Sequence, residues 1–94
     1  MRSLKSSSRF RKQYALLSRR GWKTKLLDDL IVKLASDVPS SELFKDHPLR
    51  GTWVGKRECH VTSVTDDWLV IYEKVGVDRL FLHGTGDHQM LYGE

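Results

Sequence analysis

All four histidines of the chain lie between its midpoint and its C-terminal end, at positions His47, His60, His83 and His88. Histidine is the side chain best suited to exchange protons near neutral pH. An acidic pair, Asp66 and Asp67, stands beside Trp68, and Arg57 precedes one of the histidines by three positions. Imidazole, carboxylate and guanidinium groups together can carry general acid–base chemistry. We therefore expect these residue types to converge on one side of a small sheet.

Strand geometry limits which of these side chains can act together. Side chains alternate between the two faces of a strand, so one face carries Arg57, Cys59 and Val61 while the other carries Glu58, His60 and Thr62. Cys59 and His60 point apart and should not act on the same ligand. For each histidine alone, a surface position or a structural hydrogen bond is the alternative to catalysis. A zinc site is a further alternative, because catalytic zinc accepts three histidines, but no short ligand spacing supports one built from His47, His60 and His88.

Hydrophobic spacing predicts two helices that precede these residues. A first helix is expected near residues 8–20 from apolar side chains at helical spacing, Phe10, Tyr14 and Leu17. The serines at 6–8 are candidate N-caps. A second helix is expected within residues 23–36 from the stripe Leu26, Leu27, Leu30, Ile31 and Leu34. Gly21 lies between the two patterns, so the pair should form a helical hairpin with this glycine at its corner.

Three later segments have the character of strands. Residues 55–63 alternate in polarity, residues 67–75 form a nearly continuous β-branched and aromatic run, and residues 79–84 form a third apolar run. Turn-forming residues separate them, which predicts antiparallel hairpins. The first seven residues are a weaker candidate for a further strand. The expected fold class is α+β, with two N-terminal helices packed on a twisted antiparallel sheet of three to four strands.

Length and composition narrow the class of protein. A chain of 94 residues cannot supply two stable cores, which favours one domain over residues 1–94. With 39% hydrophobic and 30% charged residues, the composition is that of a globular protein. The single cysteine, Cys59, excludes an internal disulfide framework and zinc sites built on two or more thiolates. No secretory signal pattern and no apolar run of about 18 residues occurs, so we expect a cytoplasmic protein without a membrane partner.

Positive charge is concentrated at the start of the chain. Residues 1–25 contain nine basic side chains and no acidic one, whereas residues 26–94 contain seven basic and twelve acidic ones. The segment charges are therefore +9 and −5. Such a cluster is typical of proteins that bind a polyanion, either nucleic acid or an acidic protein, and the alternative is a solvated helix face. The residues assigned to this surface are Arg11, Lys12, Arg19, Arg20 and Lys23.

Three motifs together carry a family resemblance. They are FKDHPLRGTWVGKRECHV (44–61), DDWLVIYE (66–73) and GTGDHQMLYG (84–93). In identity and spacing they resemble the successive motifs of the YafQ branch of the RelE-like toxins, from bacterial type II toxin–antitoxin systems. The resemblance is close over residues 44–93, and the two-helix segment before it matches in kind. It implies a microbial RNase fold, an endoribonuclease that cleaves mRNA, commonly on the ribosome, and a cognate antitoxin.

The resemblance also implies roles for individual residues. The functional histidines of the family fall on His47, His60 and His88, and its acidic residue before tryptophan falls on Asp67. Positions associated with substrate contact fall on Trp68 and Tyr92, and a basic position near the phosphate falls on Arg57. His83 has no counterpart and is expected to be structural. No cofactor and no metal are implied.

Metal-independent RNA cleavage needs a base for the 2′-hydroxyl, an acid for the departing 5′-oxygen, and positive charge near the phosphate. We expect His88 to be the acid and either Asp67 or His60 to be the base. Arg57 and a protonated His47 are the expected phosphate stabilisers.

Two departures from the family pattern affect the site. Gly84 replaces an arginine that usually precedes the Thr-Gly pair of the last motif, which removes a positive charge. The segment between His60 and Asp67 is also longer than usual, so either Asp66 or Asp67 can occupy the catalytic position.

Partners follow from the same resemblance. The basic helices can contact ribosomal RNA or dock an acidic antitoxin segment. The free toxin is expected to be monomeric. The alternative to a ribonuclease is a non-catalytic module that binds RNA or antitoxin, as an inactive toxin relative would.

Overall fold

The computed structural model of the chain describes residues 1–93, which form three α-helices and a five-stranded sheet. The helices are α1 (Ser8–Arg19), α2 (Thr24–Ala35) and α3 (His88–Tyr92). The strands are β1 (Ser3–Ser6), β2 (Phe44–Pro48), β3 (Arg57–His60), β4 (Leu69–Val75) and β5 (Arg79–Gly86). Their order in the sheet is β1-β5-β4-β3-β2. The pair β1–β5 is parallel and the other three pairs are antiparallel.

The α+β class and the helical hairpin are confirmed, but the sheet is larger than predicted and mixed. The strand candidate at the N-terminus is present as β1, and it pairs with β5 in parallel at the edge of the sheet. The strand β2 was not predicted. It contains Pro48, which lacks an N–H, and Lys45, whose φ is 54°. Such a strand is tolerated at a sheet edge, which is where β2 lies.

One face of the sheet is covered by the two long helices. Phe10 and Leu17 of α1 are buried, and so is the predicted stripe of α2 apart from Leu26, which is 42% exposed. They pack against the side chains of the sheet that face them, which are Cys59, Val70, Tyr72, Leu80 and Leu82. Gly21 has a φ of 82° and allows the chain to turn between the helices, as predicted.

The opposite face carries a smaller apolar cluster under α3. Leu69 and Ile71 of β4 pack there with Leu91 of α3, and the partly buried Leu49, Trp53 and Tyr92 complete it. A register shift between β4 and β5 places Gly84 opposite Ile71 on this face. The sheet therefore presents β3, β4 and the end of β5 to the short helix, away from the main core.

The N-terminus of α1 is capped by Ser7. Its hydroxyl oxygen accepts from the backbone N–H of Phe10 at 3.0 Å, and the hydroxyl donates to the carbonyl of His83 at 3.0 Å. We expect Ser7→Ala to lower the free energy of unfolding by about 1 kcal/mol, because the cap is lost. Ser8→Ala is the matched control, since Ser8 is an exposed residue inside the helix. Urea denaturation measures both, and equal stability of the two variants would contradict the assigned cap.

The thiol of Cys59 lies in the main core with no exposed surface. Burial raises its pKa to about 12, so it is protonated at neutral pH. Among the helices in residues 1–93, none has the length and apolar character needed to cross a membrane.

Candidate active site

His60 is held on the face of the sheet that α3 covers. Its Nδ1 atom lies 2.9 Å from the backbone carbonyl oxygen of Asp66 and 2.9 Å from its Oδ1 atom. Because a carbonyl oxygen only accepts, Nδ1 must carry the hydrogen, and Nε2 is then the unprotonated nitrogen of the neutral ring. The carboxylate of Asp66 also accepts from the backbone N–H of Thr62 at 2.7 Å and from its hydroxyl. The turn between β3 and β4 therefore fixes the orientation of this imidazole.

His88 is the first residue of α3 and is held by the neighbouring aspartate. Its backbone N–H donates to Oδ1 of Asp67 at 3.0 Å, and its Nδ1 donates to the same atom at 2.5 Å. These bonds from His88 lower the pKa of Asp67, which is ionised at neutral pH. Asp87 caps α3 by accepting from the backbone N–H of Met90 at 2.8 Å. The helix start and Asp67 together aim Nε2 of His88 outward.

The two aspartates thus each hold one histidine. Asp66 orients His60 and Asp67 orients His88, and the two imidazole rings lie 6.4 Å apart between centroids at an angle of 66°. His60 is 5% exposed, whereas the side chain of His88 is 46% exposed. Sequence reasoning left open which aspartate takes the catalytic position, and in the structure each of the two contacts one histidine. A buried and an exposed imidazole at this separation can exchange protons with one substrate group lying between them.

Glu58 lies beside this pair and connects three elements of the site. It is 4% exposed on β3, and it receives a hydrogen bond from the hydroxyl of Tyr92 at the end of α3. Its Oε1 atom lies 3.6 Å from Nε2 of His47 on β2. Tyr92 also approaches His88, with ring centroids 6.1 Å apart. The predicted residues His47 and Tyr92 therefore join the cluster.

Glu58 is the residue of the cluster to which sequence reasoning gave no role. The sequence did contain a signal for Glu58, because the alternation of side chains places Glu58 and His60 on one face of the predicted strand. What the sequence did not supply was the partner strand β2, on which His47 pairs directly with Glu58.

Comparison with known proteins gives the family. Residues 2–93 match the family described as the bacterial toxin of the type II toxin–antitoxin system, YafQ. The chain belongs to the YafQ toxin family. It is 33% identical over 93 residues to the mRNA interferase toxin YafQ of Escherichia coli strain K12, and the match covers 98% of this chain and 97% of that protein.

Solved YafQ structures agree with the fold. The crystal structure of YafQ from E. coli strain BL21(DE3) matches with a TM-score of 0.85 and 31% identity, over 99% of this chain and 100% of that one. A chain in the crystal structure of the E. coli DinJ–YafQ toxin–antitoxin complex matches with a TM-score of 0.82 and 33% identity, over 98% of each chain. The resemblance noted in the sequence is thereby confirmed.

Arg57 occupies a YafQ motif position but points away from the histidines. Its Nη2 atom donates to Oδ2 of Asp46 at 2.9 Å, on the face that carries Tyr72. Asp46 also accepts from the hydroxyls of Ser40 and Tyr72. Burial alone raises the pKa of Asp46, but the hydrogen bonds from Arg57, Ser40 and Tyr72 outweigh it, so the pKa is lowered. The guanidinium of Arg57 is paired with Asp46 on the face opposite the histidines, and its contact with the phosphate stays a prediction that this pairing disfavours.

Trp68, the other residue expected to contact substrate, is buried. It is 7% exposed, its Nε1 atom donates to the hydroxyl of Thr85 at 3.1 Å, and its ring packs edge-on against Trp22 at 5.1 Å. Trp68 thus belongs to the main core, and its contact with substrate stays a prediction that this burial disfavours. His83 pairs with Glu73 at 2.9 Å and stands outside the site cluster.

Gly84, where the YafQ pattern usually has arginine, is covered by α3. A Cβ atom at this position would lie 2.9 Å from Cδ2 of Leu91 and 3.1 Å from Oε1 of Gln13. Any side chain here would have to displace the side chain of Leu91, so the close approach of α3 depends on glycine at this position. The site consequently lacks a charge from this strand.

Metal ligation finds no support in the geometry. Over residues 1–93, His, Cys, Asp and Glu side chains nowhere form a group of three or more that could hold a metal ion. Among these residues His47, His60 and His88 are not grouped as metal ligands, and a site without metal stays a prediction.

The basic surface of this YafQ-family chain lies on α1 and the turn after it. Five side chains assigned to it are exposed, namely Arg11, Lys12, Arg19, Arg20 and Lys23. Arg11 is partly engaged, since its Nη1 atom donates to the backbone carbonyl of Ser6 at 2.6 Å. The surface projects from the helical layer and not from the face that carries the histidines.

Proposed function

We propose that this chain is a type II toxin that cleaves mRNA as a metal-independent endoribonuclease, acting on the ribosome and stopping translation. The observation that supports this proposal most directly is the pair of imidazoles, His60 and His88, each oriented by an aspartate, with ring centroids 6.4 Å apart. The E. coli relative is named an mRNA interferase toxin, which agrees with this chemistry. A protein with this activity works in the cytoplasm, where ribosomes are.

The proposed reaction is an attack of the RNA 2′-oxygen on the adjacent phosphorus. Nε2 of neutral His60 accepts the proton of the 2′-hydroxyl, and the 2′-oxygen forms a bond to phosphorus. The bond from phosphorus to the 5′-oxygen breaks, and Nε2 of protonated His88 donates a proton to that oxygen. The products are a 2′,3′-cyclic phosphate and a 5′-hydroxyl. Asp67 stabilises the imidazolium of His88 before transfer, which favours Asp67 as the partner of the acid and His60 as the base.

Glu58 has a positioning role in this proposal. It holds Tyr92 by a hydrogen bond and lies next to His47, so it sets the place of a protonated His47 against the phosphate. We expect Glu58→Gln to lower kcat about 10- to 100-fold with KM nearly unchanged, because the reacting groups lose their alignment. Steady-state cleavage assays measure kcat and KM separately.

Glu73→Gln is the matched control for that variant. Glu73 also pairs with a histidine, His83, but this pair stands outside the site cluster, so its substitution should leave kcat unchanged. An unchanged kcat in Glu58→Gln would contradict the positioning role.

Three partners follow from the proposal. The mRNA is the substrate, the ribosome presents it, and a cognate antitoxin neutralises the free monomeric toxin. The structure of the E. coli DinJ–YafQ complex supports the antitoxin as the kind of partner. The exposed basic side chains of α1 suit either ribosomal RNA or an acidic antitoxin segment.

Reversing the charge of the basic surface separates those two partners. We expect Arg19→Glu, Arg20→Glu and Lys23→Glu together to abolish salt-dependent binding to ribosomes, because several phosphate contacts are lost. Sedimentation at several salt concentrations measures this. Unchanged ribosome affinity in the triple variant, together with loss of antitoxin binding, would assign the surface to the antitoxin instead.

Induced expression in a bacterium that lacks the antitoxin tests the proposed function. Growth arrest with new mRNA 5′ ends at translated codons is the expected result. Absence of both would favour the second candidate, a non-catalytic module that binds RNA or antitoxin. The observation behind that candidate is the lack of an arginine at Gly84 and the diversion of Arg57 to Asp46.

A further inference from the structure

The histidine pair leaves one requirement of RNA cleavage unmet, which is positive charge beside the substrate phosphates. Within residues 1–93, the site carboxylates of Glu58, Asp66 and Asp67 bond to histidine, threonine and tyrosine side chains and to no lysine or arginine. Arg57 is paired on the opposite face, and Gly84 has no side chain. Apart from a protonated His47, positive charge for an anionic substrate must therefore come from an element outside the sheet.

Arg9 of α1 reaches this side of the molecule. Its Nη2 atom donates to the backbone carbonyl of Leu91 at 2.9 Å and to that of Met90 at 3.5 Å. Leu91 lies three residues after His88 on α3, which corresponds to about 4.5 Å along the helix axis. The guanidinium of Arg9 is thus anchored roughly one helical turn from the imidazole proposed as the acid.

An aromatic side chain fixes the same guanidinium from the other side. The Cζ atom of Arg9 lies 5.2 Å from the centroid of the Trp53 ring, within the range of a cation–π interaction. Trp53 in turn packs edge-on against Tyr92, with centroids 6.5 Å apart. A continuous line of contacts therefore runs from Arg9 through Trp53 and Tyr92 to Glu58.

The remaining donors of Arg9 are available to a ligand. A guanidinium carries five N–H donors, and in the described part of the chain only those on Nη2 make hydrogen bonds. Arg9 is exposed, and Nε and Nη1 make no hydrogen bond within residues 1–93. Arginine presents such donors in a planar fork that matches two oxygens of a phosphate.

The position of Arg9 on its own helix adds a second argument. It lies in the first turn of α1, which contains no acidic residue. The positive end of the helix dipole disfavours a cation there and favours an anion. The C-terminal carbonyls of α3 hold the guanidinium in place, and an anionic ligand is attracted both by the N-terminus of α1 and by the guanidinium.

We propose that Arg9 binds an RNA phosphate next to the cleaved bond and supplies the positive charge that position 84 lacks in this chain. The inference rests on the proposed ribonuclease function and names a substrate-binding residue that the sequence motifs do not contain. Trp53 acts as a platform that holds the guanidinium in place.

RNA binding by the charge-removing variant Arg9→Met tests this proposal. Methionine keeps an apolar contact with Trp53 but has no charge. The probe is a single-stranded RNA oligonucleotide, and all proteins carry His88→Ala to prevent cleavage. We expect the affinity to fall about tenfold and the slope of log K against log salt to become shallower by about 0.7, the value for one lost phosphate contact on single-stranded RNA. Arg9→Lys should keep most of the slope, because it keeps the charge.

The control is Arg79→Met, which removes an exposed arginine at the far end of β5. Its affinity and salt slope should equal those of the parent protein. If Arg9→Met has a lower Tm but the parent salt slope and affinity, Arg9 is a structural brace and the proposal is overturned. The proposed function is checked separately, by cleavage of mRNA by the wild-type chain, so its failure is distinguishable from failure of the Arg9 assignment.

Discussion

His88→Ala is expected to lower the rate of RNA cleavage about 10²- to 10⁴-fold and to abolish growth arrest. The imidazole is the group assigned to protonate the departing 5′-oxygen. The side chain of alanine can neither donate that proton nor form the hydrogen bond to Asp67. Alanine also favours helix, so the first turn of α3 should persist. Single-turnover cleavage assays and growth curves after induction measure the two effects.

His83→Ala is the matched control for the acid. His83 is a histidine of the same sheet, but it pairs with Glu73 outside the cluster. Its cleavage rate should stay close to that of the wild type. A His88→Ala protein that still cleaves RNA at the wild-type rate would remove His88 from the mechanism.

Arg57→Met is expected to lower the free energy of unfolding by about 2 kcal/mol while leaving RNA affinity unchanged. The carboxylate of Asp46 has only 3% of its surface exposed, and loss of Arg57 leaves a buried charge without its cation. The 39% exposure of the Arg57 side chain keeps the effect below the 3–5 kcal/mol usual for a fully buried pair. Urea denaturation and RNA titration give the two values. Unchanged stability with weakened RNA binding would instead support the prediction that Arg57 contacts the phosphate.

The same ion pair predicts a pH dependence. The pKa of Asp46 is lower in the folded chain than its ordinary value of 3.8, so ionisation of this group stabilises the fold. That contribution is complete above the ordinary pKa and is lost as the pH falls through the lower folded value. In Asp46→Asn, the part of acid unfolding that begins below about pH 4 should be reduced. Thermal unfolding between pH 2 and 7 measures the difference.

The helices and the central strands could be predicted from the sequence because their patterns are local. Apolar spacing located α1 and α2, and β-branched runs located β4 and β5. The strand β2 escaped prediction because Pro48 and the left-handed backbone of Lys45 conceal its pairing with β3, which depends on residues nine or more positions away.

The site was predictable in its residue types and less so in its pairings. The faces of β3 followed from alternation, which separated Arg57 from His60 before any contact was known. The partner of Arg57, Asp46, lies on the unpredicted strand, and the burial of Trp68 depends on Trp22 of the helical layer. These are tertiary contacts, and no local pattern specifies them. Arg9 belongs to the same class, because α3 meets α1 only in the folded chain.

The chemistry of the RNA ends tests the central claim most directly. Purified wild-type protein is incubated with ribosomes translating a defined mRNA, and the new ends are identified by their reaction with polynucleotide kinase and RNA ligases. Attack by the 2′-oxygen, with His60 as base and His88 as acid, predicts a 2′,3′-cyclic phosphate and a 5′-hydroxyl at each cut. The same ends should form to the same extent when a metal chelator is added after the ribosomes have been chemically fixed. Ends with a 5′-phosphate and a 3′-hydroxyl would contradict the account, because they require attack by water and not by the RNA itself.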